Sequence, residues 1–283
     1  MKTLKEYILE AEKNKVAIGH FNISNLETLH GIYNAAKKLN VPIIIGLSEG
    51  EENFVGENEA SALIEEIRKN DNYPIFLNAD HHYDFESVKK SISAGYDAAI
   101  IDAVKLPLKE NIEVTKKCVD YAKTLDREVL IEAELGFIGK SSKLLEKIPE
   151  GVNKMTTPEN AKYFVEQTGI DLLAPAVGNI HGMIKEGNPN LDVQRIKDIR
   201  EACGVPLVLH GGSGISDEDF KKAIQAGISI VHINTEIRVA YKEALEKFLD
   251  KNPNEIAPYR FLKPAVEAVE EVVERRLRLF NNI

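Results

Sequence analysis

Eight short, nearly uninterrupted apolar runs recur along this chain of 283 residues: 16–23, 41–47, 74–79, 98–103, 128–135, 171–178, 206–210 and 229–234. Between them, apolar residues return at helical spacing, as from Leu26 to Leu39, Ala60 to Ile67 and Phe220 to Ala226. Strands that are apolar throughout must be covered on both faces, the situation of parallel strands flanked by helices. Eight strand–helix units close most simply into an α/β fold of the (β/α)8, or TIM, barrel type, and the length is ordinary for one. An open doubly wound sheet would carry fewer strands and a glycine-rich first turn. The first turn, Gly19-His20-Phe21-Asn22-Ile23-Ser24-Asn25, has no such fingerprint. The expectation is one barrel domain over 1–283. From about 254 onward a helical extension caps the barrel or packs on another subunit.

Three histidines stand where such runs end: His81 after Phe76-Leu77-Asn78-Ala79-Asp80, His181 after Ala176-Val177-Gly178-Asn179-Ile180, and His210 after Leu207-Val208-Leu209. These are the carboxyl ends of three strands, and in a barrel that is the face where chemistry is built. Three neutral imidazoles converging there would hold a divalent transition metal with a coordination position left for substrate. His82 adjoins His81, and because neighbours on a strand point oppositely, only one of the two belongs at the metal. His20, His30 and His232 are not read as ligands.

Carboxylates reinforce the pattern. Asp80 precedes His81, Asp102 ends the fourth run, and Glu132 and Glu134 lie two apart on the fifth and so share a face. Acids turned into a barrel are costly unless paired or bound to metal. For Glu132 the favoured role is orienting a ligand histidine. Gly211-Gly212-Ser213-Gly214 after the seventh run and Ile233-Asn234-Thr235 after the eighth occupy the usual phosphate position of such a barrel. Backbone N–H groups exposed there and a following helix N-terminus attract anions. The plainer alternative is a glycine turn before a helix capped by Ser216.

A formal net charge of −9 argues against a nucleic-acid-binding role. No apolar stretch approaches the roughly 20 residues needed to span a bilayer. Met1-Lys2-Thr3-Leu4-Lys5-Glu6 lacks the apolar core of a signal peptide. Cys118 and Cys203 form no disulfide framework. The expected setting is cytoplasmic, with no membrane partner.

Asp80-His81-His82, Ile101-Asp102, Glu132-Ala133-Glu134-Leu135-Gly136, Gly178-Asn179-Ile180-His181-Gly182 and Leu209-His210-Gly211-Gly212-Ser213-Gly214 together resemble the class II, metal-dependent fructose-bisphosphate aldolases, a family that includes tagatose-bisphosphate enzymes. The likeness runs from Phe21-Asn22 to about Arg260. It implies a catalytic zinc on His81, His181 and His210, with Asp80 as proton donor. Asp102 and Glu134 match a second, peripheral divalent position. Gly182, Gly211, Gly212, Ser213, Asn234 and Thr235 match positions that hold dihydroxyacetone phosphate. Asn22 and Ser48 resemble further substrate contacts, and Lys185 falls in a loop near a monovalent-cation site. Arg260 resembles an arginine reaching the distal phosphate from a neighbouring subunit, which implies a homodimer or homotetramer.

Two departures fall on proton transfer. The family carries acids in the loop after Glu-Leu-Gly, where this chain has Phe137-Ile138-Gly139-Lys140-Ser141-Ser142-Lys143, and it carries Asn at the position of His232. His232, or a loop carboxylate such as Glu146 or Glu150, then becomes the replacement base. The implied activity is cleavage of a ketose bisphosphate, fructose 1,6-bisphosphate foremost. A tagatose-bisphosphate or other phosphorylated-sugar aldolase and an inactive regulatory metal-binding barrel are the alternatives.

Overall fold

In a computed structural model, which describes residues 2–139, 144–145, 155–184 and 190–283, the eight apolar runs become a closed parallel barrel. The strands are β1 (Ile18–Asn22), β2 (Ile43–Ser48), β3 (Ile75–His82), β4 (Ala98–Ile101), β5 (Leu130–Leu135), β6 (Leu144–Leu145), β7 (Leu172–Pro175), β8 (Met183–Ile184), β9 (Leu207–Leu209) and β10 (Ile228–Ile233). Around the barrel the order is β1-β10-β9-β7-β5-β4-β3-β2, while β6 and β8 pair with each other outside it. The helices are α1 (Leu4–Asn14), α2 (Leu26–Leu39), α3 (Glu49–Val55), α4 (Glu57–Asp71), α5 (Phe85–Ser93), α6 (Leu108–Ala122), α7 (Pro158–Thr168), α8 (Val193–Cys203), α9 (Asp217–Ala226), α10 (Thr235–Lys251), α11 (Pro258–Phe261) and α12 (Lys263–Asn281). Several begin at a side-chain cap: Asn25, Asp84, Thr157, Asp192 and Ser216 each accept from a backbone N–H one turn on. Each such cap contributes about 1 kcal/mol.

Alternation along the strands creates two separate cores. Outward residues such as Ile45, Leu77, Ile101, Ile131, Leu173, Leu209 and Val231 pack under the helices. The first inward residue of each strand is apolar: Ile18, Ile44, Phe76, Ala98, Leu130, Leu172, Val208 and Ile230. Helix α1 closes that end with Leu4, Ile8 and Ala11. Two residues further along, the inward layer turns polar, with His20, Asn78, Glu132 and His232 buried side by side. Gly46 stands in this layer because His20 fills the space a side chain would need; a Cβ on Gly46 would lie 2.2 Å from His20 Cε1. The barrel is therefore sealed at its amino end and graded toward chemistry at its carboxyl end.

The C-terminal extension joins the outer helix ring. Helix α12 packs against α2, α9 and α10, burying Val269, Val273, Leu277 and Phe280. Its Arg276 is also buried and forks onto Glu236 of α10, with Nε–Oε2 at 2.9 Å and Nη2–Oε1 at 2.6 Å. Arg276 Nη1 donates to Asp217 of α9 at 2.8 Å. Glu236 Oε1 in turn accepts from the Gly214 N–H at 3.0 Å. One arginine thus ties together the first turns of the two helices that follow the glycine loop and β10.

Candidate metal centre and anion cleft

The inward positions at the carboxyl end of the strands are Asn22, Ser48, Asp80 and Glu134, continuing the parity that begins at the sealed floor. Simple alternation would put His81 outside. Instead the pairing of β3 with β4 shifts between Ala79 and His82, and His81 takes φ 49°. Left-handed backbone at a residue with a Cβ costs on the order of 1–3 kcal/mol. It turns His81 inward beside Asp80 and leaves His82 facing the helices, where Glu52 lies 3.1 Å and Ser91 3.0 Å from its Nε2. Of the two histidines, the structure brings His81 to the cluster and turns His82 away from it.

His81, His181 and His210 converge although they are far apart in sequence. With Glu134 they offer ligand atoms lying within 4.8 Å of one another. Glu134 Oε1 sits at the focus, 3.7 Å from His81 Nδ1, 3.4 Å from His181 Nε2 and 2.9 Å from His210 Nδ1. The three rings are steeply inclined, by 74°, 89° and 84°, so their edges meet at a common region. Around them stand carboxylates that fix the rings. Glu132 Oε1 lies 2.7 Å from His210 Nε2, and Asp102 Oδ2 lies 3.3 Å from His81 Nδ1. His210 Nδ1 is buried and faces Glu134 Oε1, a ligand atom aimed at the focus. Three imidazoles and a carboxylate with carboxylate support fit a divalent transition metal.

The protonation of these groups is consistent with that fit. Burial pulls the His81 imidazole down, but Asp80, Glu134 and Asp102 outweigh it and raise its pKa to about 9. Burial likewise opposes charge on His210, which Glu132 and Glu134 nevertheless raise well above the usual imidazole range. Burial opposes charge on Glu134 too, yet His81, His181 and His210 hold it well below the usual carboxylate range. Protons on imidazole stand where a cation's positive charge belongs.

A second grouping lies beside the first. His20 and His232 stack with centroids 3.5 Å apart and planes 4° apart, and His232 lies 4.1 Å from the His210 ring. Their donors and those of Asp80 are close enough to share an ion. Parallel rings, however, have no common point in both ring planes, so this pair is a stack and not a ligand pair. His232 Nδ1 lies 3.6 Å from Asp80 Oδ1, and Asn22 Nδ2 donates to Asp80 Oδ2 at 2.7 Å. Burial, then His20 and His210, push the His232 imidazole well below its ordinary pKa, which leaves it neutral with a lone pair.

The anion side completes one cleft. Asn22, Asp80, His81, His181 and His232 line it together with Gly182, Gly211, Gly212, Ser213, Asn234 and Thr235. Gly211 is at φ 64°, and a Cβ there would stand 2.1 Å from Ile180 O. The bare backbone lets the loop bearing His181 close on the strand bearing His210. Asn179 locks that approach by donating to His210 O at 2.9 Å. Ser213 Oγ accepts from the Glu236 N–H at 3.2 Å, so its own hydrogen is available to an anion at the α10 N-terminus.

Comparison with known proteins gives this arrangement a family. A family model described as fructose-bisphosphate aldolase class-II matches residues 2–283. The chain belongs to that family. A fructose-bisphosphate aldolase of Staphylococcus epidermidis is 37% identical over 281 residues, covering 98% of this chain and 96% of the relative. One from Geobacillus stearothermophilus is 37% identical over 285 residues, covering 99% and 96%. Among solved structures, the YdjI aldolase of Escherichia coli K12 superposes with a TM-score of 0.84 at 31% identity, covering 98% of this chain and 96% of that one.

Not every residue expected at the site of this class II family member lines the cleft. Ser48, paired in register with Asp80, spends its hydroxyl on Glu51 at 2.9 Å and caps α3. Asp102 stands behind His81. Arg260, on α11, is 61% exposed and pairs with Glu255. Lys185, Ser141, Ser142, Glu146 and Glu150 lie outside the described residues. Conversely, Glu51, Asn179 and Arg238 were not singled out from sequence. Glu51 accepts from Asn22 Nδ2 at 2.8 Å and pairs with Arg238. The Ser48-Glu49-Gly50-Glu51 spacing is a capping-box signature that would have marked it. Converting Glu132 to Gln removes the anionic partner of His210 Nε2. Metal affinity is expected to fall about 10- to 100-fold, measurable by competition with a chromophoric chelator, with the fold retained.

Proposed function

We propose that this family member is a zinc-dependent aldolase that splits a ketose bisphosphate, fructose 1,6-bisphosphate foremost, into dihydroxyacetone phosphate and glyceraldehyde 3-phosphate. The observation that carries this is one cleft in which Asp80, the His81–His181–His210 ring and the Gly211–Ser213 and Asn234–Thr235 anion loops face each other. His81, His181 and His210 would hold zinc, which supplies Lewis acidity to stabilise charge developing beside the ketose carbonyl. Asp102 and Glu134 flank His81 and offer carboxylates to a second divalent ion. A monovalent cation near Lys185 belongs to the same reading.

In cleavage, the C4 hydroxyl gives its proton to Asp80, a C4 carbonyl forms and the C3–C4 bond breaks, leaving its electron pair on C3. Burial disfavours charge on Asp80, but His81 and His232 hold it well below the usual carboxylate range, so it is ionised and ready to accept. C3 must then take a proton. His232, neutral with a lone pair and lining the cleft, is the group we assign to the reverse step, removal of that C3 proton in condensation. In cleavage its imidazolium form returns the proton. It stands in place of the acids expected in the loop, with Glu146 and Glu150 as its competitors. The backbone of Gly182, Gly211 and Gly212 with Ser213, Asn234 and Thr235 holds the C1 phosphate, which positions the ketose for bond cleavage. Asn22 orients Asp80, Ser48 acts through Glu51, and Arg260 reaches a neighbouring subunit's substrate in a homodimer or homotetramer.

A coupled assay of zinc-loaded protein with fructose and tagatose 1,6-bisphosphates tests the reading. Cleavage should vanish on chelation and return with zinc. Turnover indifferent to chelator would remove the metal from the mechanism.

A further inference from the structure

We infer that Glu52 and Ser91, which lie outside the barrel, decide which of two adjacent histidines reaches the metal. By holding His82 against the helix layer they keep His81 turned into the cleft. Neither lines the cleft. They are positioning residues, and the inference rests on the zinc assignment above.

Strand geometry creates the choice. Asp80, His81 and His82 are consecutive at the end of β3. On an extended strand Asp80 and His82 would face inward, with His81 outside. One left-handed residue, His81 at φ 49°, reverses that order for the two histidines. A residue with a Cβ stays in this backbone only where its surroundings hold it there. Which imidazole enters the cleft is thus set by the backbone at one position, and by whatever fixes the residues beside it.

The contacts on His82 make that choice. Its ring is buried, with Nε2 3.1 Å from Glu52 Oε2 of α3 and 3.0 Å from Ser91 Oγ of α5. Ser91, also buried, donates to Glu52 Oε1 at 2.8 Å. A carboxylate oxygen accepts, so His82 Nε2 carries the hydrogen. Turning His82 into the cleft would leave the buried Glu52 without that donor, a costly state for a carboxylate. The backbone passes the hold on to His81. His82 O accepts from the Asp102 N–H at 2.8 Å, and Asp102 Oδ2 lies 3.3 Å from His81 Nδ1. On the other side of His81, Asn22 Nδ2 donates both to Glu51 Oε2 at 2.8 Å and to Asp80 Oδ2 at 2.7 Å. Two consecutive carboxylates of α3 therefore grip the residues on either side of His81, Glu51 through Asn22 and Glu52 directly.

Zinc dissociation constants, from competition with a chromophoric chelator, test this in a double-mutant cycle of Glu52 with His81. Glu52→Ala is expected to weaken zinc by about 10-fold, the low end for loss of a group that supports a metal ligand. Glu52→Gln should recover most of that loss, because a carboxamide accepts from His82 and donates to Ser91. In a chain already carrying His81→Ala, Glu52→Ala should bring no further loss, since its hold acts only through His81. The same factor of loss in both backgrounds would mean general damage to this end of the barrel. Unchanged affinity in Glu52→Ala would mean that His82 needs no anchor. Either result overturns the inference. Should Glu52→Ala fail to fold, Ser91→Ala runs through the same cycle. A smaller loss is then expected with His81 present and none without it; equal loss, or none in either background, again overturns the inference. Wild-type zinc affinity in His81→Ala would sink the zinc assignment itself, which every other outcome leaves standing.

Discussion

His210→Ala is expected to lose its zinc and at least about a thousandfold in cleavage rate, since Lewis-acid stabilisation is worth several kcal/mol at roughly 1.4 kcal/mol per decade. His210 has the most committed geometry of the three imidazoles: Glu132 fixes one nitrogen, and the other points at the focus. Metal analysis of the purified variant beside a coupled assay checks both halves. Equimolar zinc with wild-type turnover would mean that the ion sits elsewhere. The wild-type affinity carries a pH signature of its own. His81 has its pKa raised from 6.5 to about 9 in the metal-free chain, so its contribution to apo stability is full below 6.5 and is lost as pH rises through about 9. Metal must displace that proton at neutral pH. Zinc affinity should therefore rise with pH toward about 9, by up to about tenfold per pH unit for each proton displaced.

Asp80→Asn should behave in the opposite way toward metal and similarly toward rate. The substitution leaves all three histidines in place and keeps an oxygen for Asn22, so equimolar zinc is expected to remain. What disappears is the carboxylate that exchanges the C4 proton, and general acid–base groups of this kind contribute about 10²- to 10⁴-fold. The diagnostic is the split: zinc retained, kcat reduced by about two to four decades. A zinc-replete variant turning over near the wild-type rate would take proton transfer away from Asp80.

The barrel was legible because strands buried on both faces leave long apolar runs, and runs such as Ile43–Leu47 admit few other readings. Inward layering was only half legible. The spacing of Glu132 and Glu134 put them on one face, and the register then places that face inside. Adjacent Asp80 and His81 both reach the cleft only through the displaced pairing at the end of β3, and no residue type announces it; histidine merely tolerates the left-handed backbone. Glu51 and Glu52 stand in an acidic stretch that reads as a solvated helix face, yet both are buried because Arg238 and His82 arrive from other elements. Partners that meet only in space, as these do, leave no periodic trace in the chain.

The Arg276 clasp makes helix α12 a working part of the frame behind the cleft. The Gly214 turn leans through Glu236 on a guanidinium that α12 carries, so losing that helix would strand Glu236 as a buried acid without its counter-charge and slacken the turn beside Ser213.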